Sequence, residues 1–439
     1  MGSKAETSVV HRDAGMSTRA VMAATVGTAL EWFDFALYGV VAATVFPKIF
    51  FPSLDPTSGL LASLATFGVG LAARPLGAVI CGYLGDRFGR RNLLLFTVTI
   101  MGLASVLMGF LPTYNQIGVW APILLVMLRI IQGFALGGES TGAQLMALEH
   151  APGDRRGRYS GFLGVCSPIS QILANGAMLA LSLTMSSQAF LSYGWRIPFL
   201  ISFILVVVGV YIRRKVSETP SFVQLQSSRA KADRSPLRDV VRLHFREIVR
   251  LTLVFAGPTA LFYLVVVFSL GYLTGTLGIP KQVGFAVLMM ANACAVVGAL
   301  CGGQLSDRIG RKKALALGAC LTLVFLFIYF PLLDTKNFWV IAASMGFLLG
   351  FTQYQSGIQP VYFAEAFPTS VRYTGSALAY TAANLIAGAT LPATAVWLLR
   401  TFHGSPWSVV GIVVFWNGLS LAMVLVGRET RGIDLDAVA

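Results

Sequence analysis

One basic turn occurs twice in this chain. Residues 82–91 read G-Y-L-G-D-R-F-G-R-R, and residues 303–312 read G-Q-L-S-D-R-I-G-R-K. A second motif, E-x2-P-x3-R, begins at Glu149 and again at Glu365, at nearly the same offset. Two independent motifs that repeat together indicate an internal duplication of roughly 200 residues, a period that suits two packed halves and is too long for a solenoid.

The composition indicates whether these halves fold in water or in a lipid bilayer. Charged residues make up 12% of the chain and hydrophobic residues 56%, and the mean hydropathy is +0.72. Soluble domains carry about 25% charged residues. A single water-soluble core could not hide this much apolar surface, so the sequence predicts a membrane protein.

Apolar stretches long enough to cross about 30 Å of hydrocarbon occur six times in each half. They fall near residues 20–46, 59–85, 93–111, 120–148, 158–186 and 194–214, and near 249–275, 283–305, 314–332, 338–364, 371–399 and 406–427. Lipid cannot satisfy backbone polar groups, and the runs do not resemble the short alternating strands of a barrel. We therefore expect an all-α integral membrane protein with twelve transmembrane helices in two pseudo-symmetric six-helix bundles.

The basic residues are distributed unequally between the two faces of the membrane. Most of the 33 Lys and Arg residues lie in the N- and C-terminal tails and in the loops that join each even-numbered span to the next odd-numbered span. The loops of the other face carry Lys48, Arg196, Lys281, Lys336 and Arg400. By the positive-inside rule, both termini of a multi-pass protein of the inner (plasma) membrane then face the cytoplasm.

This topology divides the chain into five parts. We expect a cytoplasmic N-terminal tail at 1–18, an N-terminal bundle at 19–215, a basic cytoplasmic linker at 216–248, a C-terminal bundle at 249–428 and a cytoplasmic tail at 429–439. The linker lacks the interleaved aromatic residues of a nucleic-acid site, so we expect it to lie on the membrane face as a tether instead.

Several classes of chemistry are not expected. The chain has no G-x4-G-K-[ST] motif, and its Gly-rich stretches lie in apolar spans, which disfavours ATP-driven pumping. The four histidines are isolated, and the five cysteines are scattered in or beside apolar spans, so neither a metal site nor a disulfide framework is predicted. We expect no enzyme activity and no cofactor.

Five ionisable residues fall well inside the predicted spans, all in the N-terminal half: Glu31, Asp34, Glu139, Arg74 and Arg129. Each charge near the bilayer centre costs at least about 2.5 to 3.5 kcal/mol, so such residues usually face a partner or a cavity. Three acids against two bases leave one negative charge that a proton can cancel. We expect a proton-coupling site at which Asp34 carries the proton and Arg129 extends toward it, with Glu31 on the same helix face and Glu139 beside Arg74. The alternative is an ion-pair network that only fixes the packing.

The C-terminal half has no charged residue deep inside its spans, but it has neutral hydrogen-bond donors and aromatic side chains that suit a small polar metabolite. The candidate substrate-binding residues are Arg129 from the first half and Gln355, Gln359, Tyr380, Asn384 and Trp416 from the second. Each of the neutral ones, taken alone, could equally form an interhelical hydrogen bond.

The motifs together resemble a known family. The repeated basic turn, R-I-I-Q-G at 129–133, E-T-P at 218–220 and E-T-R-G at 429–432 resemble the major facilitator superfamily. E-W-F-D-F at 31–35, R-P-L-G at 74–77, G-G-E at 137–139 and G-W-R-I-P-F at 194–199 resemble its metabolite:H+ symporter family, which contains shikimate, oxoglutarate, citrate and proline/betaine permeases. The paired-glutamine signature of sugar porters is missing from 251–275, which weakens a sugar interpretation.

The resemblance implies a cytoplasmic gate between the halves. Asp86 is expected to pair with Arg372 and Asp307 with Arg156, with Glu149 and Glu365 joining the two clusters. The full set of gate candidates is Asp86, Arg87, Arg90, Glu149, Arg156, Asp307, Arg308, Arg311, Glu365 and Arg372. These bridges would form only while the cytoplasmic mouth is shut. The alternative is that the arginines simply satisfy the positive-inside rule.

Together these features predict a proton-coupled symporter that imports a small organic anion, such as a carboxylate, by alternating access. The expected partners are this substrate, protons and the lipid bilayer, without nucleic acid, and the protein is compatible with action as a monomer. Three alternatives stay open, namely a proton-coupled exporter, a zwitterion permease of the same fold, and a transporter-like membrane receptor.

Overall fold

The computed structural model describes residues 29, 31–88, 90–137, 144–145, 148, 151–214, 236–368 and 371–433. Within these ranges the chain forms helices and their connections, without a strand. The sequence analysis assigned roles to Glu139 and Glu149, and both residues lie outside the described ranges. The same holds for the side chains of Asp86, Arg87 and Arg90, and therefore for the expected Asp86–Arg372 pair.

The helices follow one another in two sets of six. The first set is α1 (31–44), α2 (Pro56–Phe88), α3 (Arg90–Phe110), α4 (Trp120–Leu136), α5 (Gly153–Thr184) and α6 (Arg196–Arg214). The second set begins with α7 (Pro236–Tyr263), which is kinked at His244 and continues to Thr276 through short π-helical segments. It goes on with α8 (Lys281–Ile309), α9 (Arg311–Asp334), α10 (Phe338–Ala366), α11 (Arg372–Thr401) and α12 (Trp407–Val426).

Seven of these helices, within the described ranges, are long and apolar enough to cross a membrane: α2, α5, α7, α8, α9, α11 and α12. Two further helices, Ser187–Gly194 and Arg196–Val208, are bent by 41° and pass the same test when they are taken together as one span. The apolar parts of α3 and α4, Leu95–Phe110 and Trp120–Leu136, are shorter. The fold is thus all-α and membrane-spanning, as the apolar stretches predict.

The helix packing repeats between the two sets. In the first set α2 packs on α4 and α3 on α6, and in the second α8 packs on α10 and α9 on α12. Between the sets α5 packs on α8 and α2 on α11. Exchanging each helix with the helix at the same position in the other set turns every one of these pairs into another pair of the group. The packing therefore has the two-fold repetition that the duplicated motifs predict.

Close helix contacts in both halves depend on glycine at matching places. A Cβ atom on Gly133 in α4 would lie 1.9 Å from the Gly70 carbonyl oxygen in α2. A Cβ atom on Gly298 in α8 would lie 2.1 Å from the Gly350 carbonyl oxygen in α10. Small residues let membrane helices approach until their backbones touch, which supplies packing energy that lipid cannot provide.

The two halves touch at both ends of the molecule. At one end, here called the Asp307 end, a Cβ atom on Gly303 would lie 2.3 Å from the Gly157 carbonyl oxygen. At the opposite end, here called the Arg400 end, the Arg400 guanidinium donates to Ser58 Oγ at 2.6 Å, and Lys281 Nζ lies 3.6 Å from the ring centroid of Phe190. The two halves are therefore in contact at both ends, with a cavity between them.

The contact of Gly157 with Gly303 predicts a substitution that opens the Asp307 end. Gly303→Leu should separate α5 from α8, since backbone oxygen occupies the space that the new side chain needs. Cysteine placed at Ser167, which faces the interior, should then react several-fold faster with a thiol reagent in purified, otherwise cysteine-free protein.

Gly153→Ala is the control for this experiment, because a Cβ atom at Gly153 would meet nothing within 4 Å. Equal labelling rates in the Gly303→Leu and control proteins would show that this contact does not hold the end closed.

Candidate transport site

Asp34 is a buried carboxylate held by hydroxyl groups from two other helices. Its side chain in α1 is 3% exposed. Ser105 of α3 donates to Oδ2 at 2.7 Å, and Ser202 of α6 donates to Oδ1 at 2.5 Å. Each carboxylate oxygen therefore has a donor, as a buried charge requires. The three helices α1, α3 and α6 converge on this single group.

Arg129 reaches Asp34 through a relay. The Arg129 Nη1 group donates to Gln132 Oε1, and Gln132 Nε2 donates to the same Ser105 hydroxyl at 2.7 Å. Both Arg129 and Gln132 are fully buried. The expected approach of Arg129 toward Asp34 is thus an indirect one, because a glutamine and a serine stand between the two charges.

Aromatic rings enclose the Arg129 guanidinium. Its central carbon lies 4.1 Å from the ring centroid of Tyr38, 4.7 Å from that of Phe35 and 5.2 Å from that of Phe67. Such contacts are worth about 2 kcal/mol or more for a desolvated cation. The rings replace part of the lost hydration, since Nε and Nη2 find no hydrogen-bond acceptor in the described part of the chain.

Glycine provides the space in which Arg129 lies. A Cβ atom on Gly70 in α2 would be 2.5 Å from Arg129 Nε and 2.9 Å from its Cδ and Cγ atoms. The residue type at position 70 therefore decides whether the long side chain can lie between α2 and α4.

Arg74 and Glu31 form a second buried pair. The Arg74 Nη2 group donates to Glu31 Oε1 at 3.2 Å, and the side chains are 5% and 1% exposed. Arg74 also lies 5.1 Å from the centroid of the Phe35 ring. The expected partner of Arg74 was Glu139, which lies outside the described residues, whereas the described partner is Glu31.

A small cavity with both polar and apolar lining lies between the halves, and Trp32, the chain neighbour of Glu31, is part of it. Its volume is about 60 Å³, room for a few water molecules. Among its polar and aromatic lining residues are Trp32, Gln144, Ser167, Phe255, Thr259, Tyr263, Gln353, Ser356, Gln359, Tyr380 and Asn384. Ser167 Oγ and Thr259 Oγ1 have no hydrogen-bond partner in the described part of the chain, so both hydroxyl groups are available for hydrogen bonds to a bound ligand.

The cavity lining includes some of the predicted substrate residues and excludes others. Gln359, Tyr380 and Asn384 are among the lining residues. Gln355 instead packs against Gly318 of α9, and Trp416 packs against Phe415 and the hydrophobic core.

Sequence reasoning missed several lining residues, among them Trp32, Ser167, Thr259 and Tyr263. One available signal was Pro258 in the seventh span, because proline-interrupted helices often border transporter binding sites.

The Asp307 end joins the halves through the backbone. Asp307 Oδ1 accepts the Gly157 N–H at 2.8 Å, and Oδ2 accepts the Arg158 N–H at 2.8 Å. The expected partner was the Arg156 side chain, whose Nη1 instead donates to the Ile433 carbonyl at 2.8 Å. The close approach of α5 and α8 explains the difference, because it brings the amide groups of α5 directly onto the carboxylate.

Arg311 binds two acids at this end. It donates to Glu365 through Nε and Nη2 at 3.2 and 3.0 Å, and to Asp307 Oδ1 through Nη1 at 2.6 Å. Thr430 also donates to Glu365, at 2.7 Å. Two neighbouring candidates make backbone contacts: Arg372 Nε donates to the Ala364 carbonyl at 2.9 Å, and the Arg308 carbonyl accepts from Arg431 at 2.7 Å.

The chain resembles membrane transporters over nearly its whole length. Residues 20–437 match the family described as "Sugar (and other) transporter". The chain belongs to this transporter family of the major facilitator superfamily. It is a multi-pass membrane transporter and not an enzyme.

Two relatives from Escherichia coli (strain K12) carry narrower names. The inner membrane metabolite transport protein YhjE is 37% identical over 94% of both chains. The shikimate transporter is 36% identical over 92% of this chain and 93% of its own.

A third relative, the proline/betaine transporter of the same strain, is 34% identical over 89% of this chain and 79% of its own. Among solved structures, the proton:xylose symporter XylE superposes with a TM-score of 0.74 over 97% of this chain and 99% of that one, at 19% identity. That likeness establishes the major facilitator fold.

The space at Gly70 yields a stability prediction. Gly70→Ala should destabilise the transporter by about 1 to 3 kcal/mol, the usual cost of overpacking, because the added methyl group collides with Arg129. Gly39→Ala is the matched control, since its nearest contacts would be ordinary ones at 3.4 Å. Thermal unfolding of the purified variants measures the effect, and equal melting temperatures would contradict it.

Proposed function

We propose that this transporter imports a small organic anion with a carboxylate group together with protons. The observation that carries the proposal is the burial of Asp34, Arg129, Glu31 and Arg74 near a cavity that residues of both halves line. Buried ionisable groups inside a membrane protein are expensive and usually serve a transported ion or substrate. Import with protons accounts for charges that packing alone does not require.

The names of the relatives favour a carboxylate substrate. The shikimate transporter and the proline/betaine transporter are named after compounds that each bear a carboxylate group. Shikimate is an anion, whereas proline and betaine are zwitterions, so the second name supports a zwitterion permease as an alternative. A screen of organic acids and zwitterions by thermal shift of the purified protein would identify the class.

In the proposed mechanism Asp34 carries the proton and Arg129 tunes its affinity for it. A positive charge favours the ionised form of a nearby carboxyl group, and burial favours the neutral form. A shift of the relay through Gln132 and Ser105 would change how strongly Arg129 acts on Asp34. Glu31 lies on the same face of α1, three residues away, and Glu139 would support Arg74.

Alternating access would follow from the two ends of the molecule. Contacts such as those of Asp307 with the α5 backbone exist only while that end is closed, so they favour states that open at the Arg400 end. Arg311, held by Glu365, would position Asp307 for these contacts, and the substrate would bind against Gln359, Tyr380 and Asn384.

Asp34→Asn tests the proton site. The variant should lose accumulation of shikimate or glycine betaine driven by a proton gradient, because an amide cannot take up the proton, while exchange between preloaded vesicles stays measurable. Asp154→Asn, at a side chain that is 73% exposed, is the control and should transport normally. If the Asp34→Asn protein still concentrates substrate when only a proton gradient is imposed, Asp34 is not the proton site, and Glu31 or Glu139 becomes the candidate.

Cysteine labelling in cells tests the orientation. The distribution of basic residues predicts that cysteines replacing Lys48 and Lys336 react with a membrane-impermeant reagent outside intact cells. Cysteines replacing Arg90 and Lys231 should react only after the cells are opened. Labelling of both pairs from one side would contradict cytoplasmic termini.

A further inference from the structure

Arg74 lies behind the cavity wall, next to the lining residue Tyr380. We propose that its guanidinium is the binding site for the substrate carboxylate, and that Glu31 is a resident acid which the substrate displaces. This inference rests on the proposed function and names the group that selects the substrate class.

The guanidinium of Arg74 has unused binding capacity. Arginine offers five N–H donors in one plane, and a carboxylate binds best when it accepts two parallel ones. Glu31 occupies Nη2 at 3.2 Å through a single oxygen, Oε1, while Nε finds no acceptor in the described part of the chain. A buried donor without an acceptor is costly, so a ligand that supplies one gains affinity.

The pair is also next to the cavity lining. Tyr380 of α11 lies close to Glu31 and to Arg74, and its side chain hydrogen-bonds with Arg74, while Tyr263 of α7 lies near Arg74. Both tyrosines line the cavity, as does Trp32, the neighbour of Glu31 in α1. A carboxylate in the cavity would therefore meet Arg74 from the N-terminal half and Tyr380 from the C-terminal half.

Arg129 is a poorer candidate for the same role. Its Nη1 group donates to Gln132, and although Nε and Nη2 have no acceptor in the described part of the chain, the guanidinium lies among the rings of Tyr38, Phe35 and Phe67. Phe35 and Phe67 in turn pack on Tyr263, with ring centroids 6.1 and 5.4 Å apart. These rings stand between Arg129 and the cavity, so Arg129 is left to act on Asp34.

The charge balance connects this site to proton uptake. Among the described residues, Arg74 with Glu31, and Arg129 with Asp34, make two neutral combinations. A bound anion on Arg74 adds one negative charge in a low-dielectric interior, where an unpaired charge is strongly disfavoured. One proton taken up by the acidic face of α1, which carries Glu31 and Asp34, restores neutrality, and release of the substrate returns Glu31 to Arg74.

Binding measurements on purified protein test the assignment. Shikimate is the anionic probe, its methyl ester is the matched neutral probe, and glycine betaine is run in parallel. Glu31→Gln should bind shikimate about tenfold or more tightly than wild type, because the competing charge on Arg74 is gone. Asp34→Asn removes the same charge from the same helix face and should give a clearly smaller increase.

A double variant gives the complementary loss. Arg74→Gln with Glu31→Gln removes both charges together, so no buried charge is left unpaired and the protein should fold. It should lose about tenfold or more of the preference for shikimate over its methyl ester, and unchanged melting behaviour would show that the loss is local.

The inference is overturned if Glu31→Gln binds shikimate no better than wild type, or if the double variant keeps the preference over the ester. Wild-type protein that binds neither shikimate nor glycine betaine, or that binds the ester equally well, contradicts a carboxylate site of this kind. Failure of the proposed function gives a different result. The variants would then bind shikimate and its ester as expected here, but a proton gradient would drive no accumulation of substrate.

Discussion

Charges buried inside a membrane protein must be matched by the protein itself, because neither lipid nor a dry interior solvates them. In the N-terminal half this requirement places several helices at once. Asp34 of α1 needs the hydroxyl groups of α3 and α6, and Arg129 of α4 needs Gln132 and the rings around it. The relative positions of these helices follow from a few polar contacts.

The same half must also leave room for those side chains. Where α2 and α4 touch, Gly70 and Gly133 allow backbone contact, and Gly70 additionally admits the Arg129 guanidinium. The equivalent contact in the C-terminal half, between Gly298 and Gly350, holds the helices together without a buried arginine. The same type of glycine contact therefore occurs in both halves. In the N-terminal half it lies beside buried charges, and in the C-terminal half it lies among neutral side chains.

The sequence predicted the buried charges well and their partners only in part. Depth along a span follows from counting residues, so Asp34, Glu31, Arg74 and Arg129 could be assigned to the membrane interior. Which group a charge meets depends on helix rotation and on how closely neighbours approach. Gln132 was visible in the sequence, but its place between Arg129 and Ser105 was not.

The sequence by itself determined the solvent, the duplication and the residues that must be matched, because composition, apolar length and repeated motifs do not depend on tertiary contacts. The tertiary structure decided which face of each helix meets the cavity. On α10 it turns Gln353, Ser356 and Gln359 inward and packs Gln355 on α9. It also put the α5 backbone, rather than the Arg156 side chain, on Asp307. The first outcome arises from packing between two consecutive helices, and the second from packing between helices far apart in the chain. In both cases tertiary contacts fix the rotation and separation of the helices.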